Sequence, residues 1–142
     1  MIYLLYMSKI NIIGLTKIDD PFYRYQMVQP KYENSNLTNL LDIAKDLDRS
    51  PDMIIKFLKY KFNSSCTFKN NILTLPKNTS PTDFENALFE FIEYVVLCPL
   101  CRLPETTIDK KTNISCKCCS YNKPVDKQKI SKTANKFYDA LN

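Results

Sequence analysis

Four cysteines near the carboxyl end constrain this chain more than any other feature. They form two Cys-x-x-Cys pairs, Cys98-Pro-Leu-Cys101 and Cys116-Lys-Cys-Cys119, which are separated by 14 residues. Each pair can supply two thiolates to one tetrahedral Zn²⁺, with residues 105–115 forming a hairpin between them. The spacing predicts a structural zinc ribbon over residues 98–122, whose four protein ligands leave no position for a substrate. Reduced thiols without a metal are the alternative.

The second pair contains a third thiol, so its ligands need a choice. Cys118 competes with Cys119, and the two-residue spacer of the first pair favours Cys119. Cys66 lies in a predicted strand and is interpreted as a small buried hydrophobe. Two close pairs are typical of metal binding in a reducing compartment rather than of a disulfide framework. We therefore expect a cytoplasmic protein.

The charge of the chain is concentrated near its end. Of the net +5, residues 98–142 carry 9 Lys and Arg against 4 Asp and Glu, whereas the preceding residues are balanced. Such a cluster suits a polyanion such as RNA, although a solvated lysine-rich face is the alternative. The predicted nucleic-acid-binding residues are Lys117, Lys123, Lys127, Lys129 and Lys132, with Lys110, Lys111 and Lys136 nearby.

Composition argues against an enzyme that acts alone. The chain has no His, which removes the usual general base, and its single Gly excludes glycine-rich phosphate loops. The apolar start, residues 1–6, is too short to span a membrane, and Met7 is an alternative start to Met1. We expect neither catalysis by the chain itself nor membrane insertion.

Apolar periodicity predicts two consecutive helices. Apolar residues recur at helical spacing over residues 36–48, and Ser50-Pro51-Asp52 has the N-cap, first-position proline and first-turn acid of a second helix. The two helices, joined by a tight turn, resemble a helix-turn-helix pair.

Three further elements follow along the chain. Residues 66–68 and 72–75 flank an Asn-containing turn and predict a β-hairpin. A capping box at Thr82-Asp-Phe-Glu85 begins a third helix that runs to the first zinc cysteine, and spaced apolar residues over 125–141 predict a terminal helix. The fold class is therefore α+β.

Four regions are expected on this basis. Residues 1–21 form a mobile arm, and residues 22–97 form a small α/β domain that contains the helix pair and the hairpin. Residues 98–122 are the zinc ribbon, and residues 123–142 are a basic terminal helix.

Three segments carry a family resemblance. They are Asp20-Pro-Phe-Tyr-Arg-Tyr-Gln-Met27, Asp42-Ile-Ala-Lys-Asp-Leu-Asp-Arg-Ser-Pro51 and Val95-Val-Leu-Cys-Pro-Leu-Cys-Arg-Leu-Pro-Glu-Thr106. Together they resemble the N-terminal domain of eukaryotic translation initiation factor 5, which forms a joint family with the beta subunit of initiation factor 2. Longer family members continue into a helical-repeat domain, so a chain that ends at Asn142 resembles a minimal form without it.

The resemblance implies a GTPase-activating accessory factor. Its partner is initiation factor 2, whose gamma subunit holds GTP, on the small ribosomal subunit with initiator tRNA and mRNA. Arg24, between Tyr23 and Tyr25, matches the family's arginine finger, and Lys56 matches a lysine linked to activation. A second such lysine is absent at Asn34, and Lys31 is the nearest substitute. An ordinary exposed arginine and a solvated helix lysine are the alternatives.

Two other functions stay open at this point. The chain could be a non-catalytic RNA- and ribosome-binding module that resembles the beta subunit of initiation factor 2. It could also be a zinc-dependent DNA-binding protein of the transcription type. A monomer is expected in each case.

Overall fold

The computed structural model describes residues 9–34, 36–109 and 112–141, so Met1, Met7, Lys110 and Lys111 lie outside the described residues. Strand β1 (Lys9–Asn11) pairs antiparallel with β2 (Gln26–Val28), and the N–H of Ile12 donates to the Tyr25 carbonyl at 2.8 Å. Ile12 is buried in the core. Part of the predicted arm is therefore a paired strand, and the mobility of the arm stays a prediction.

The predicted helix pair is present as α1 (Leu40–Leu47) and α2 (Pro51–Phe62). Asp48 ends α1 in a left-handed conformation, and the Ser50 side chain accepts the N–H of Met53, as the N-cap prediction requires. The first helix begins four residues later than its periodicity suggested. Its expected first turn is occupied by β4 (Asn36–Leu37), which pairs with a neighbouring strand instead.

A four-stranded antiparallel sheet has the order β3-β4-β6-β5, where β3 is Tyr32–Glu33. The predicted hairpin is confirmed as β5 (Thr67–Lys69) and β6 (Ile72–Thr74). Its two turn residues, Asn70 and Asn71, have φ of 55° and 62°. A chain with one glycine uses asparagine for these positions because asparagine tolerates positive φ better than other side chains do.

Helix α3 (Pro81–Phe91) continues into a π-helical turn, Ile92–Val96, that leads directly to Cys98. The capping box at Thr82–Glu85 was wrong, because the box is made by Ser80 and Asp83. Pro81 favours the first helical position, which shifts the N-cap to Ser80.

The ribbon is a three-stranded sheet of β7 (Thr106–Ile108), β8 (Asn113–Cys116) and β9 (Asn122–Pro124). The predicted hairpin is its first two strands. The last helix, α4 (Lys132–Leu141), follows a 3₁₀ turn at Lys127–Lys129 and begins seven residues later than expected. No helix of the described chain is long and apolar enough to cross a bilayer.

The terminal helix is part of the core rather than a separate tail. Rings of Phe57, Phe91 and Phe137, from α2, α3 and α4, meet edge to face at 5.5–6.0 Å. Edge-to-face packing stabilises aromatic clusters beyond the area that they bury. The α+β class is confirmed, with the three helices sharing one apolar centre.

A buried guanidinium joins this body to the ribbon. Arg49 lies between α1 and α2 and is 9% exposed. It donates to the Val95 carbonyl at 2.9 and 3.2 Å, and to the carbonyl and hydroxyl of Thr106 at 2.9 and 2.7 Å. Val95 precedes the first cysteine, and Thr106 opens the ribbon sheet. We call this group of contacts the arginine clasp.

The arginine clasp predicts a large effect of substitution at Arg49. Arg49→Met leaves buried carbonyls without donors and should lower the free energy of unfolding by about 3 kcal/mol. The free energy of unfolding of Arg49→Lys should lie between those of the wild type and Arg49→Met, because an ammonium lacks the guanidinium's planar fork. Denaturant unfolding measures the change, with exposed Arg24→Met as the control. Equal losses for Arg49→Met and Arg24→Met would contradict the clasp.

Candidate functional site

Four thiols converge where the ribbon meets the body. The Sγ atoms of Cys98, Cys101, Cys116 and Cys119 all lie within 4.8 Å of one another. The pairs Cys98–Cys119 and Cys101–Cys116 are 3.5 and 3.6 Å apart, which is too far for a disulfide. Four sulfurs at 2.3 Å from a tetrahedral ion are about 3.8 Å apart. These thiols could therefore hold one metal ion.

Backbone N–H groups orient the thiols in both pairs. Leu100 donates to Cys98 Sγ at 3.4 Å, and Cys118 donates in the same way to Cys116 Sγ at 3.3 Å. The side chain of Cys118 is exposed and outside the four-thiol group. The structure thus brings together the four cysteines that spacing selected.

The chemistry of the donor set fits a cation. Burial disfavours the Cys116 thiolate, but N–H groups of Cys118 and Cys119 outweigh it and lower the pKa of Cys116 to about 7. Burial first, and then neighbouring thiols, raise the pKa of Cys101 to about 12. Four thiolates this close need a central positive charge.

A carboxylate ties the first cysteine pair to the N-terminal segment. Glu93, in the π-helical turn, accepts two N–H groups of Arg102 at 2.5 and 2.6 Å, and the N–H of Leu15 at 2.9 Å. Arg102 follows Cys101 directly. A Cβ at Gly14 would lie 2.8 Å from the Glu93 Cα, so the chain's single glycine permits this approach. We call this contact the glutamate bridge.

The predicted arginine finger lies on the loop between β1 and β2. Residues 20–24, called here the arginine turn, precede β2, and Arg24 is exposed with its Cζ 5.5 Å from the Tyr25 ring centre. In the described part of the chain, Arg24 forms no salt bridge. Tyr23 and Tyr25 pack edge to face at 5.8 Å and are partly buried. They support the turn rather than project from it.

Tyr25 connects the arginine turn with the ribbon. It lines a cleft of about 200 Å³ together with Asp46 of α1 and Glu105 and Lys117 of the ribbon. Burial raises the pKa of Tyr25, Arg24 opposes this, and Cys118 and Glu105 add to it. The turn that carries Arg24 therefore lies beside the second cysteine pair.

The other positions linked to activation differ in their surroundings. Lys56 is partly buried on α2, and its Nζ lies 3.5 Å from the Ala140 carbonyl at the end of α4. Asn34 has a φ of 52° in the turn between β3 and β4, a position that suits asparagine better than lysine. Lys31 is exposed.

The five predicted nucleic-acid-binding lysines are all exposed but differ in their neighbours. Lys127 pairs with Asp139, and Lys129 lies 3.9 Å from Asp126. Lys123 sits 5.9 Å from the Tyr121 ring centre. Lys117 lies on the ribbon, and Lys132 starts α4. They line the ribbon and the start of the last helix rather than forming one helical face.

Sequence reasoning did not single out Arg49, Glu93 or Gly14. Arg49 stood inside a quoted motif, and the rarity of glycine was the one signal that Gly14 is special. Their roles depend on partners far away in sequence, which no local pattern shows.

Metal binding should depend on Cys119 and not on Cys118. Titration of the reduced chain with Co²⁺, followed by d–d absorption, should give one tetrahedral site per chain in the wild type and in Cys118→Ser. Cys119→Ser should bind more weakly because one thiolate is lost. Loss of the signal in Cys118→Ser alone would reverse the assignment.

The glutamate bridge should make stability depend on acid pH. The hydrogen bond from Arg102 lowers the pKa of Glu93 below its ordinary value. Its stabilisation is therefore present above about pH 4.3 and is lost as pH falls through the lower folded-state pKa. The free energy of unfolding of the wild type should exceed that of Glu93→Gln by up to about 1 kcal/mol at pH 7, and the difference should shrink below pH 4.

Denaturant unfolding of both proteins across this range measures the difference. Proton uptake by the thiols affects the two proteins alike and cancels in the comparison. A difference that stays constant down to pH 3 would rule out the bridge.

Comparison of the sequence with known proteins places the chain in a family. Residues 16–122 match the family model described as a domain found in initiation factors 2B and 5. Eukaryotic translation initiation factor 5 of Dictyostelium discoideum is 35% identical over 131 residues, 84% of this chain and 33% of that protein. The same factor of Mus musculus is 32% identical over 124 residues, which cover 77% of this chain and 29% of that protein.

A beta subunit of initiation factor 2 is also similar to this chain. Translation initiation factor 2 subunit beta of Nanoarchaeum equitans is 31% identical over 94 residues, 63% of this chain and 68% of that protein. The chain spans about a third of the length of the factor 5 relatives. It belongs to the family of translation initiation factor domains that initiation factor 5 and the beta subunit of initiation factor 2 share.

Proposed function

We propose that the chain acts in translation initiation by stimulating GTP hydrolysis on initiation factor 2, with Arg24 supplied in trans. Family membership and the names of its relatives support a role in initiation. The partners would be the gamma subunit with its GTP, initiator tRNA and the small ribosomal subunit with mRNA, in the cytoplasm. The chain would act as a monomeric accessory factor without catalysis of its own.

Stimulation of GTP hydrolysis in trans requires a guanidinium that is free to reach the phosphates. As the γ-phosphoryl group transfers, negative charge spreads over its oxygens and onto the leaving oxygen. An arginine from a partner protein can stabilise that charge and raise the rate of hydrolysis by about 10³–10⁵. Its planar fork of N–H donors matches two phosphate oxygens at once. A side chain that serves this purpose must be exposed and not held by a carboxylate of its own protein.

The observation that carries the proposal is the state of Arg24. It is exposed, and within the described residues no salt bridge neutralises it. The turn below it is held by the β1–β2 pairing and by Tyr25 beside the ribbon, and the glutamate bridge fixes Leu15 earlier in the same loop. A charge presented on a supported base loses less conformational entropy on docking than one on a free arm.

We further propose that the metal is Zn²⁺ with a structural role. Zinc suits a closed set of four thiolates and would stabilise the ribbon on binding. Cys98, Cys101, Cys116 and Cys119 would hold it, and the reaction on GTP would not pass through it.

Lys56 fits an indirect contribution. Its ammonium lies at the carboxyl end of α4, where backbone carbonyls give partial negative charge. It would brace the last helix against α2 rather than enter the nucleotide cleft. With Asn34 committed to a turn, Lys31 is the exposed lysine of that loop.

A second function is favoured by the exposed lysines. Lys117, Lys123 and Lys132, with Tyr121 beneath Lys123, offer phosphate contacts and an aromatic surface for RNA. The chain could then be a non-catalytic module that binds RNA in the initiation complex. This binding and the action of Arg24 use different side chains, so single substitutions can separate them.

Single-turnover GTP hydrolysis distinguishes the two functions. The assay uses initiation factor 2 with GTP and initiator tRNA on the small subunit. Arg24→Ala should lower the stimulated rate at saturation by at least about 100-fold, and Arg24→Lys should restore little of it. Binding to RNA and thermal stability should be unchanged.

Two results contradict the proposal. Undiminished stimulation by Arg24→Ala would exclude the finger. Absence of stimulation by the wild-type chain, together with RNA binding, would favour the non-catalytic module.

A further inference from the structure

The arginine turn displays a second side chain beside Arg24. Phe22 is 90% exposed, the most exposed large hydrophobic side chain in the described part of the protein. Isolated apolar residues on a surface are common and need no function. Phe22 differs because its ring is nearly bare while its backbone is firmly held.

A network of hydrogen bonds fixes the backbone below Phe22. Asp20 Oδ1 accepts the N–H of Phe22 at 2.9 Å, and the Asp20 carbonyl accepts that of Tyr23 at 3.1 Å. The Gln26 amide donates to the Pro21 carbonyl at 3.2 Å. The Asn11 amide donates to the Asp20 carbonyl at 2.9 Å. Paired residues of β1 and β2 thus hold the turn from below.

Rigid presentation of an aromatic ring is typical of a binding anchor. Aromatic side chains that fill a pocket at the centre of an interface contribute much of its binding energy. The contribution is larger when the ring is already ordered before binding, since less entropy is lost. A hydrogen-bonded turn with a bare ring meets both conditions.

Charges around the ring indicate the kind of partner. The exposed Asp19 and Asp20 precede Phe22 in the sequence and the exposed Arg24 follows it, and Lys17 Nζ lies 3.6 Å from Asp19 Oδ1. A surface with both signs of charge has little net attraction for a phosphate backbone, which favours clustered positive charge. An apolar pocket of a protein, opening beside one concentrated negative charge, complements Phe22 and Arg24 together.

We propose that Phe22 is the hydrophobic anchor that docks the arginine turn into an apolar pocket beside the nucleotide cleft of the partner GTPase. This inference rests on the proposed function. Phe22 supplies affinity and register, and Arg24, two residues later, is thereby directed at the phosphates. The two residues divide binding from charge stabilisation.

Direct binding and hydrolysis separate the two roles. Binding of the full chain to initiation factor 2 loaded with a non-hydrolysable GTP analogue is measured by biolayer interferometry. Phe22→Ala should weaken it about tenfold or more, and Phe22→Leu should restore most of it. In hydrolysis, Phe22→Ala should raise the half-saturating concentration similarly, with the saturated rate within twofold. Arg24→Ala should instead lower the saturated rate and leave the half-saturating concentration nearly unchanged.

Leu41→Ala is the matched control, because Leu41 is an exposed apolar residue on α1, 44% accessible. It should leave affinity unchanged, and thermal melting should show that Phe22→Ala is folded. Unchanged affinity in Phe22→Ala, or a loss of RNA binding instead, would overturn the anchor while the Arg24 result stands. If the wild-type chain does not bind initiation factor 2, the proposed partner is wrong. If Arg24→Ala stimulates hydrolysis as well as wild type while Phe22→Ala still binds weakly, only the arginine finger is overturned.

Discussion

The arginine clasp is the contact on which the arrangement of this protein depends. A buried charge is unfavourable unless its donors are satisfied, and Arg49 meets this condition with backbone carbonyls and one hydroxyl. A guanidinium suits such a place because it is weakly hydrated and has five donors in a plane. Its contacts reach the π-helical turn after the third helix and the first ribbon strand, so the helix pair sets the position of the four cysteines.

The glutamate bridge extends this coupling toward the N-terminal side. Glu93 joins the segment around Gly14 to the residue after Cys101. Together with the cleft that Tyr25 lines beside Glu105 and Lys117, this contact links the loop of the arginine turn to the ribbon. Proposed catalysis in trans needs this combination, in which a rigid base carries a free charge. A metal that stabilises the ribbon would support Arg24 from a distance.

Local patterns predicted much of the fold. Ser50 and Pro51 determine where α2 begins, and Asn70–Asn71 determines the hairpin turn, because both depend on residues within one turn of the chain. Predictions failed where a competing local choice or a distant strand intervened. Pro81 moved the capping box to Ser80, and pairing of Leu37 with Leu73 delayed α1. Apolar spacing alone does not register either competitor.

The sequence by itself determined the four thiols, because two equal Cys-x-x-Cys spacers specify which sulfurs can meet around one ion. It also singled out Arg24, through resemblance rather than through any local rule. Only the tertiary structure decided that Arg49 is buried, that Lys56 faces the last helix and that Phe22 is bare. Burial and exposure are set by segments that meet across separations such as the 46 and 57 residues between Arg49 and its carbonyl partners. No short window of sequence contains both members of such a pair.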